Sequence, residues 1–205
     1  MFQSPRPRDL RNEQMEGSSE YLARTRRLVM LRGGIFDAPT RWDVFSPVSV
    51  HDSILAFNAQ DPVKPIYLLI NSPGGEIGDG FMLYDLIRAS QAPLITVGQN
   101  VASMATVILA AGKKRLLFPN STIMLHLPFG GMQGDTKDLE IRAAMMGMLR
   151  DQIVRSYIEC GVNKTEKRIL KDIDREFWMN AQEAIDYGLA DGIVTPEELM
   201  RGNLS

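Results

Sequence analysis

The middle of the 205-residue sequence predicts an α/β fold with a largely parallel sheet, on the strength of three successive segments. "PIYLLIN" (65–71) is a compact apolar run between a proline and Asn-Ser-Pro-Gly-Gly, the pattern of a buried strand. "GDGFMLYDLIRAS" (78–90) places Phe81, Tyr84, Leu86 and Ile87 near helical spacing, and "PLITVG" (93–98) is strand-like again. Strand, helix and strand with short connections make a βαβ unit, whose strands run parallel.

The other elements follow in order. "RRLVMLRGG" (26–34) has a β-like apolar centre closed by a glycine pair. Residues 36–50 are punctuated by Pro39 and Pro47 and yield no element, whereas "SILAFNAQ" (53–60) reads as a short helix. The run from Ala102 to Gly112 is rich in alanine and leucine-type residues and stops at Gly112, a suitable C′ position. "KRLLF" and "STIMLHL" are strands. "DTKDLEIRAAMMGMLRDQIVRSYIECG" (135–161) carries the longest helical pattern, with Asp135 or Thr136 as N-cap and Gly161 as stop. "NKTEKRILKDI" and "NAQEAIDYG" are two further short helices, the second bounded by Asn180 and Gly188. No low-complexity tract or linker divides the chain, so residues 20–205 are expected to form one domain. Residues 1–19 carry two prolines and no apolar periodicity, the marks of a flexible N-terminal segment.

Composition narrows the function classes. The chain is 44% hydrophobic and 23% charged, enough for a sizeable core, and its net charge of −2 offers no polyanion-binding surface, so no nucleic-acid partner is expected. Cys160 is the only cysteine, which excludes an intrachain disulfide framework and fits a reducing compartment. No stretch reaches the roughly 18 consecutive apolar residues of a membrane span. The N-terminus has no apolar h-region, so a soluble, cytoplasmic protein is expected.

Two residues stand out in "GQNVASMATVILAAGKKRLLFPNSTIMLHLP" (98–128). Ser103 lies where a strand gives way to a helix, a place where unpaired N–H groups favour a developing anion. It is either an N-cap serine or a nucleophile. His126, one of two histidines, closes a strand before Leu127 and Pro128 and is either structural or a general base. A third group would have to orient the imidazole. Asp172, Asp174, Glu176, Asp135 and Asp138 are all candidates, and spacing does not choose among them. In "NSPGGEIGDG" (71–80), Pro73, Gly74 and Gly75 form a turn whose N–H groups could receive an oxyanion. The same turn lacks the Gly-Lys-Ser/Thr ending of a phosphate loop. "PFGGMQG" (128–134) could leave a sheet edge open to an extended peptide. Two histidines and one cysteine, none at ligand spacing, give no metal signature.

Three motifs in order, "PIYLLINSPGGEIGDGFMLYD", "ASMATVILAAGKKRLLFPNSTIMLHLPFGGMQGDTKDLEI" and "DIDREFWMNAQEAIDYGLADGIV", resemble the proteolytic subunit of the Clp proteases over about Arg27 to Glu198. The resemblance implies a crotonase-like αβ spiral with a protruding handle helix, from about Asp138 to Cys160. It implies a serine endopeptidase with Ser103 as nucleophile, His126 as general base and Asp172 as third member. The backbone N–H groups of Gly75 and Met104 correspond to the oxyanion hole, and Arg175 and Glu176 to a charged pair at a ring–ring contact.

It further implies a homo-oligomer of two stacked heptameric rings that receives unfolded polypeptides from an AAA+ unfoldase ring. ATP is used by that unfoldase, so this chain itself is expected to need no cofactor. The chain departs from the family pattern at Ala105, where glycine is usual, at Leu127, where glutamine is usual, and at Thr122, where arginine is usual. Gly98 sits one residue farther from the serine than expected, residues 36–52 are richer in proline, and the N-terminal segment does not match the usual axial loop. The alternative is a catalytically silent subunit of a mixed Clp ring. An acyl-CoA enzyme of crotonase type shares the fold but leaves a serine, histidine and aspartate at triad positions unexplained.

Overall fold

The computed structural model describes residues 25–35, 47–131 and 133–201, with only the backbone at 47–49. The flexible segment expected at 1–19 and most of the proline-rich stretch lie outside the described residues. Five strands form a sheet in the order β1 (Leu28–Arg32), β2 (Ile66–Ser72), β3 (Leu94–Ala102), β4 (Lys114–Leu125) and β5 (Phe177–Asn180), and β6 (Gly192–Ile193) pairs with β4. The first four run parallel, as the βαβ pattern predicts, and β5 is antiparallel to β4. Seven helices are described: α1 (Pro47–Gln60), α2 (Ile77–Ala89), α3 (Met104–Ala110), α4 (Thr136–Glu159), α5 (Glu166–Asp172), α6 (Ala181–Tyr187) and α7 (Pro196–Arg201).

Ile66, Leu68 and Ile70 alternate along β2 and face the main core, with Leu31, Ile54, Leu83, Ile108 and Ile123 fully buried around them. The opposite face is covered more thinly, by Ile95, Val97, Leu116 and Val194 with Leu199 of α7 packed against them. All seven residues of α3 are buried, which explains why "MATVILA" shows no amphipathic period.

The segments "KRLLF" and "STIMLHL" meet in one strand, β4, with an irregularity between them. Leu117 pairs with Gly98 and Thr122 with Asn100, so residues 118–121 bulge around Pro119, which cannot donate to the ladder. Gly98 is needed there, because an added Cβ would lie 2.8 Å from Val101 Cγ2. Gly112 follows the Ala111 C-cap as expected, but for another reason. Its backbone is not left-handed; a Cβ would instead press to 2.4 Å from Thr96 Oγ1.

The 24-residue α4 is about 36 Å long. Asp135 caps it by accepting from the Asp138 N–H (3.0 Å), and Gly161, with φ +92°, ends it. Its buried residues, Ile153, Val154, Ser156 and Tyr157, all lie in the C-terminal third, so the first two-thirds protrude. Leu139, Ile141, Met145 and Met148 are exposed on that arm. Asn180 and Glu183 form a reciprocal capping box on α6, and Gly188 closes it in the left-handed conformation. Arg115 clasps this end of the molecule: its guanidinium pairs with Asp191 and donates to the carbonyls of Cys160 (2.7 Å) and Gly188 (2.8 Å).

Candidate active site

Ser103 occupies the step from β3 into α3 with φ +55° and ψ −130°, a conformation that side-chain-bearing residues rarely adopt. It is the N-cap residue of α3, but its hydroxyl makes no capping bond. The backbone on either side holds the strain. Ser103 N–H donates to Met124 O on β4 (2.8 Å), and Ser103 C=O accepts from Thr106 N–H (2.9 Å) and Thr106 Oγ1 (2.6 Å). The single Thr106 hydroxyl proton is committed to that carbonyl, so Tyr157 OH, 2.6 Å away on α4, must donate to Thr106 Oγ1. Burial holds the Tyr157 phenol well above its ordinary range, keeping it a donor. Thr106 and Tyr157 were not singled out from the sequence, because nothing in their spacing links α3 to α4.

The Pro73-Gly74-Gly75 turn packs directly on this step. Gly74 has φ +88°, and a Cβ there would lie 2.7 Å from both Ala102 O and Ser103 Cβ. Gly75 is bridged in parallel to Ile35, through Ile35 N–H to Gly74 O (2.9 Å) and Glu76 N–H to Ile35 O (2.8 Å). That pattern uses the neighbours of Gly75 and leaves its own N–H directed to the other side. A side chain is excluded at Gly75, since a Cβ would sit 2.0 Å from Ile35 O. Met104 N–H is the first of α3, where no intrahelical acceptor exists.

His126 follows the last residue of β4 and is half-buried. Its Nδ1 lies 2.6 Å from Leu127 O, and its ring rests against the exposed Phe129, with centroids 5.2 Å apart. A carbonyl oxygen only accepts, so this contact places the imidazole proton on Nδ1 and leaves the Nε2 lone pair free to take a proton. Ser103 and His126 line the same open cavity of about 710 Å³, together with Gly75, Met124, Phe129 and Glu176. A narrow apolar recess, walled by Ile77, Val107, Ile153 and Tyr157, is lined by the same serine and histidine. Ser103 Oγ and His126 share these walls without a hydrogen bond between them.

The acids divide clearly. Asp172, the third member implied by the resemblance, precedes Ile173, whose carbonyl accepts from Leu127 N–H next to His126 (2.9 Å). It ends α5, where its carboxylate accepts from Arg168 Nε one turn earlier (2.8 Å) and from Tyr187 OH (3.1 Å). Burial and the Asp172 carboxylate push the Tyr187 phenol upward, so that donor also stays protonated. Asp174 lies beside Arg175 at the surface, and Asp135 caps α4. Glu176 alone of the five lies on the cavity wall, where its Oε2 accepts from Trp178 Nε1 (3.0 Å). Arg175 donates to Asp174 O rather than to Glu176, so within one chain these two neighbours do not form the charged pair. The strand β5 that carries Glu176 into place was missed from the sequence; the Phe-Trp pair in "FWMN" was the available signal.

A family model for the Clp protease matches residues 22–197 of the chain. The chain belongs to the Clp protease family. Among curated relatives it is 35% identical over 175 residues to the ATP-dependent Clp protease proteolytic subunit 4, chloroplastic, of Arabidopsis thaliana. That match covers 84% of this chain and 60% of the relative, so the match spans less than two thirds of the relative's length. Membership makes it a peptidase-family chain and accords with the mixed α/β architecture and protruding α4. Among the described residues no helix is long and apolar enough to cross a membrane, and no three His, Cys, Asp or Glu side chains gather as a metal site.

Proposed function

We propose that this chain is a catalytically active serine endopeptidase subunit of a Clp protease, hydrolysing peptide bonds of unfolded polypeptides. The observation that carries the reading is Ser103 itself. Its backbone is held in a strained conformation, with the hydroxyl free of any cap bond, on a cavity wall shared with His126. His126 Nε2 takes the Ser103 Oγ proton as Oγ attacks the peptide carbonyl carbon. The resulting oxyanion is received by the N–H groups of Gly75 and Met104. Collapse breaks the C–N bond while the imidazolium returns its proton to the departing amine. Water, activated by the same imidazole, then releases the acyl group and restores Ser103.

Each active site would sit inside a homo-oligomer of two stacked heptameric rings, loaded by an AAA+ unfoldase ring that consumes the ATP. Exposed Leu139, Ile141, Met145 and Met148 on the protruding α4 support an oligomer in which that arm is covered. A second reading, a silent subunit of a mixed ring, draws on the missing hydrogen bond between Ser103 Oγ and His126. Labelling decides between them. The sized oligomer reacts with a fluorophosphonate probe and Ser103→Ala abolishes the reaction if the subunit is active. No labelling of the assembled wild type would leave the silent reading.

A further inference from the structure

We infer that Glu76 and Glu176 select the substrate: the peptides cleaved most readily carry a lysine or arginine on each side of the bond presented to Ser103. This rests on the peptidase reading above and deepens it.

The order of the strand ends carries the inference. β2, β3, β4 and β5 are neighbours in that order, and at one edge of the sheet each leads to a residue of the cavity. Glu76 stands four residues beyond the end of β2, Ser103 directly follows β3, His126 directly follows β4, and Glu176 directly precedes the antiparallel β5. All four line the open cavity of about 710 Å³. The acids therefore do not form a cluster. They flank the serine and histidine from strands three places apart, about 14 Å at the usual strand spacing. An extended peptide advances about 3.3 Å per residue, so about four residues fit between the two carboxylates.

Charge and shape point to the same ligand. No lysine or arginine is among the described residues that line the cavity. Glu76 is exposed at the N-cap of α2, and its carboxylate neither caps that helix nor joins an ion pair among the described residues. Glu176 gives Oε2 to Trp178 Nε1–H and keeps Oε1 open. Its neighbouring cation, Arg175, is turned onto Asp174 and does not neutralise it. Between the acids the wall is apolar. Phe129, 84% exposed, and Met124 can lie along the methylene stem of a lysine or arginine, and the phenyl face attracts the cation it carries. A glutamate or aspartate in the same place would meet a like charge. The narrow recess beside the serine, walled by Ile77, Val107 and Ile153, holds no carboxylate, so charge is recognised only in the open cavity.

The test presents internally quenched peptides to the assembled oligomer. Each holds one leucine among glycines and serines, with lysine or glutamate placed in turn at each of the three positions before and after it. On both sides of the cleaved bond, kcat/KM is about tenfold higher for lysine than for glutamate at low salt. That ratio shrinks several-fold at about 1 M salt, where the screening length is about 3 Å. Glu76→Gln removes the preference on one side and Glu176→Gln on the other. Glu76→Lys reverses it on its own side, which a mere loss of packing would not do. Equal rates for lysine and glutamate peptides in the wild type overturn the inference. So does an undiminished ratio when Glu76→Gln and Glu176→Gln are combined, or in Glu76→Lys alone if the Glu176 variant does not assemble. If the wild-type oligomer neither reacts with a fluorophosphonate nor cleaves any peptide, it is the peptidase reading that fails. Fluorescence anisotropy with the same peptides then reads the charge preference as a ratio of Kd, and a ratio of one overturns the inference as well.

Discussion

A single methyl group at Gly74 tests how tightly the glycine turn holds Ser103. In Gly74→Ala the new Cβ meets Ala102 O and Ser103 Cβ at 2.7 Å and Met104 N at 2.9 Å. Nearly all of this is backbone, so no flexible side-chain tip can swing away. Ordinary contact begins at 3.4 Å, so the turn and the Ser103 step must part by about 0.7 Å. The φ of +88° adds left-handed strain of about 1–2 kcal/mol for a residue with a Cβ, and the overpacking about 1–3 kcal/mol more. Urea denaturation should therefore show a loss of about 2–5 kcal/mol. Because the displaced atoms include Ser103 Cβ and the Met104 N–H, the labelling rate should fall by about 10²-fold even where the protein is fully folded. Gly78→Ala serves as the comparison, since a Cβ there meets nothing within 4 Å. A Gly74→Ala oligomer with wild-type stability and labelling rate would refute the claim that this turn sets the position of Ser103.

Other perturbations follow from the same contacts. Arg115→Met leaves the Asp191 carboxylate and the carbonyls of Cys160 and Gly188 without their donor, and should lower stability by about 2–4 kcal/mol in urea titration at pH 7. Burial raises the Asp191 carboxyl, but its hydrogen bonds and charge pairing with Arg115 outweigh this and hold it below the usual range. That contribution is present above about pH 4 and fades as pH falls through the folded value, so Asp191→Asn should flatten the acid limb of a stability profile. Tyr157 behaves in the opposite sense. Its phenol is raised by burial, so its contribution is intact below about pH 10 and decreases above it, by about 1.4 kcal/mol at pH 11. Tyr157→Phe should remove that share of the alkaline slope, leaving the part due to Tyr187, and slow Ser103 labelling, because Thr106 then loses its donor beneath the Ser103 carbonyl.

Much of the fold was legible because its signals are local. The apolar run at 65–71, the periodicity at 78–90, and the Asp135, Asn180, Gly161 and Gly188 boundaries each depend on residues within a turn or two of one another. All of them appear in place in the structure. The helix at 53–60 begins earlier, at Pro47, because proline suits the first helical position while looking like a breaker in a sequence read residue by residue. Short β5, β6 and α7 escaped notice. Each is six residues or fewer and owes its form to what it packs against, β4 for the two strands and the second face of the sheet for Leu199.

At the site the division is sharper. Chemistry-bearing residue types and the order of motifs are properties of the chain, so Ser103, His126 and the Gly74-Gly75 turn could be singled out before any coordinates. Which acid approaches the imidazole is a property of tertiary packing. It depends on how β5 docks on β4 and on how Leu127 N–H meets Ile173 O, and on no acid's distance along the sequence. The strained backbone of Ser103 is likewise decided in three dimensions, by Met124 from β4, Thr106 from α3 and Tyr157 from α4 converging on one peptide. Residue identity and local spacing were enough for the family and the α/β class, and for picking out Ser103 and His126 as the candidate pair. The strained Ser103 peptide and the cavity it shares with His126 come from tertiary packing, because hydrogen bonds between residues up to 51 positions apart exist only once the sheet and helices have closed around them.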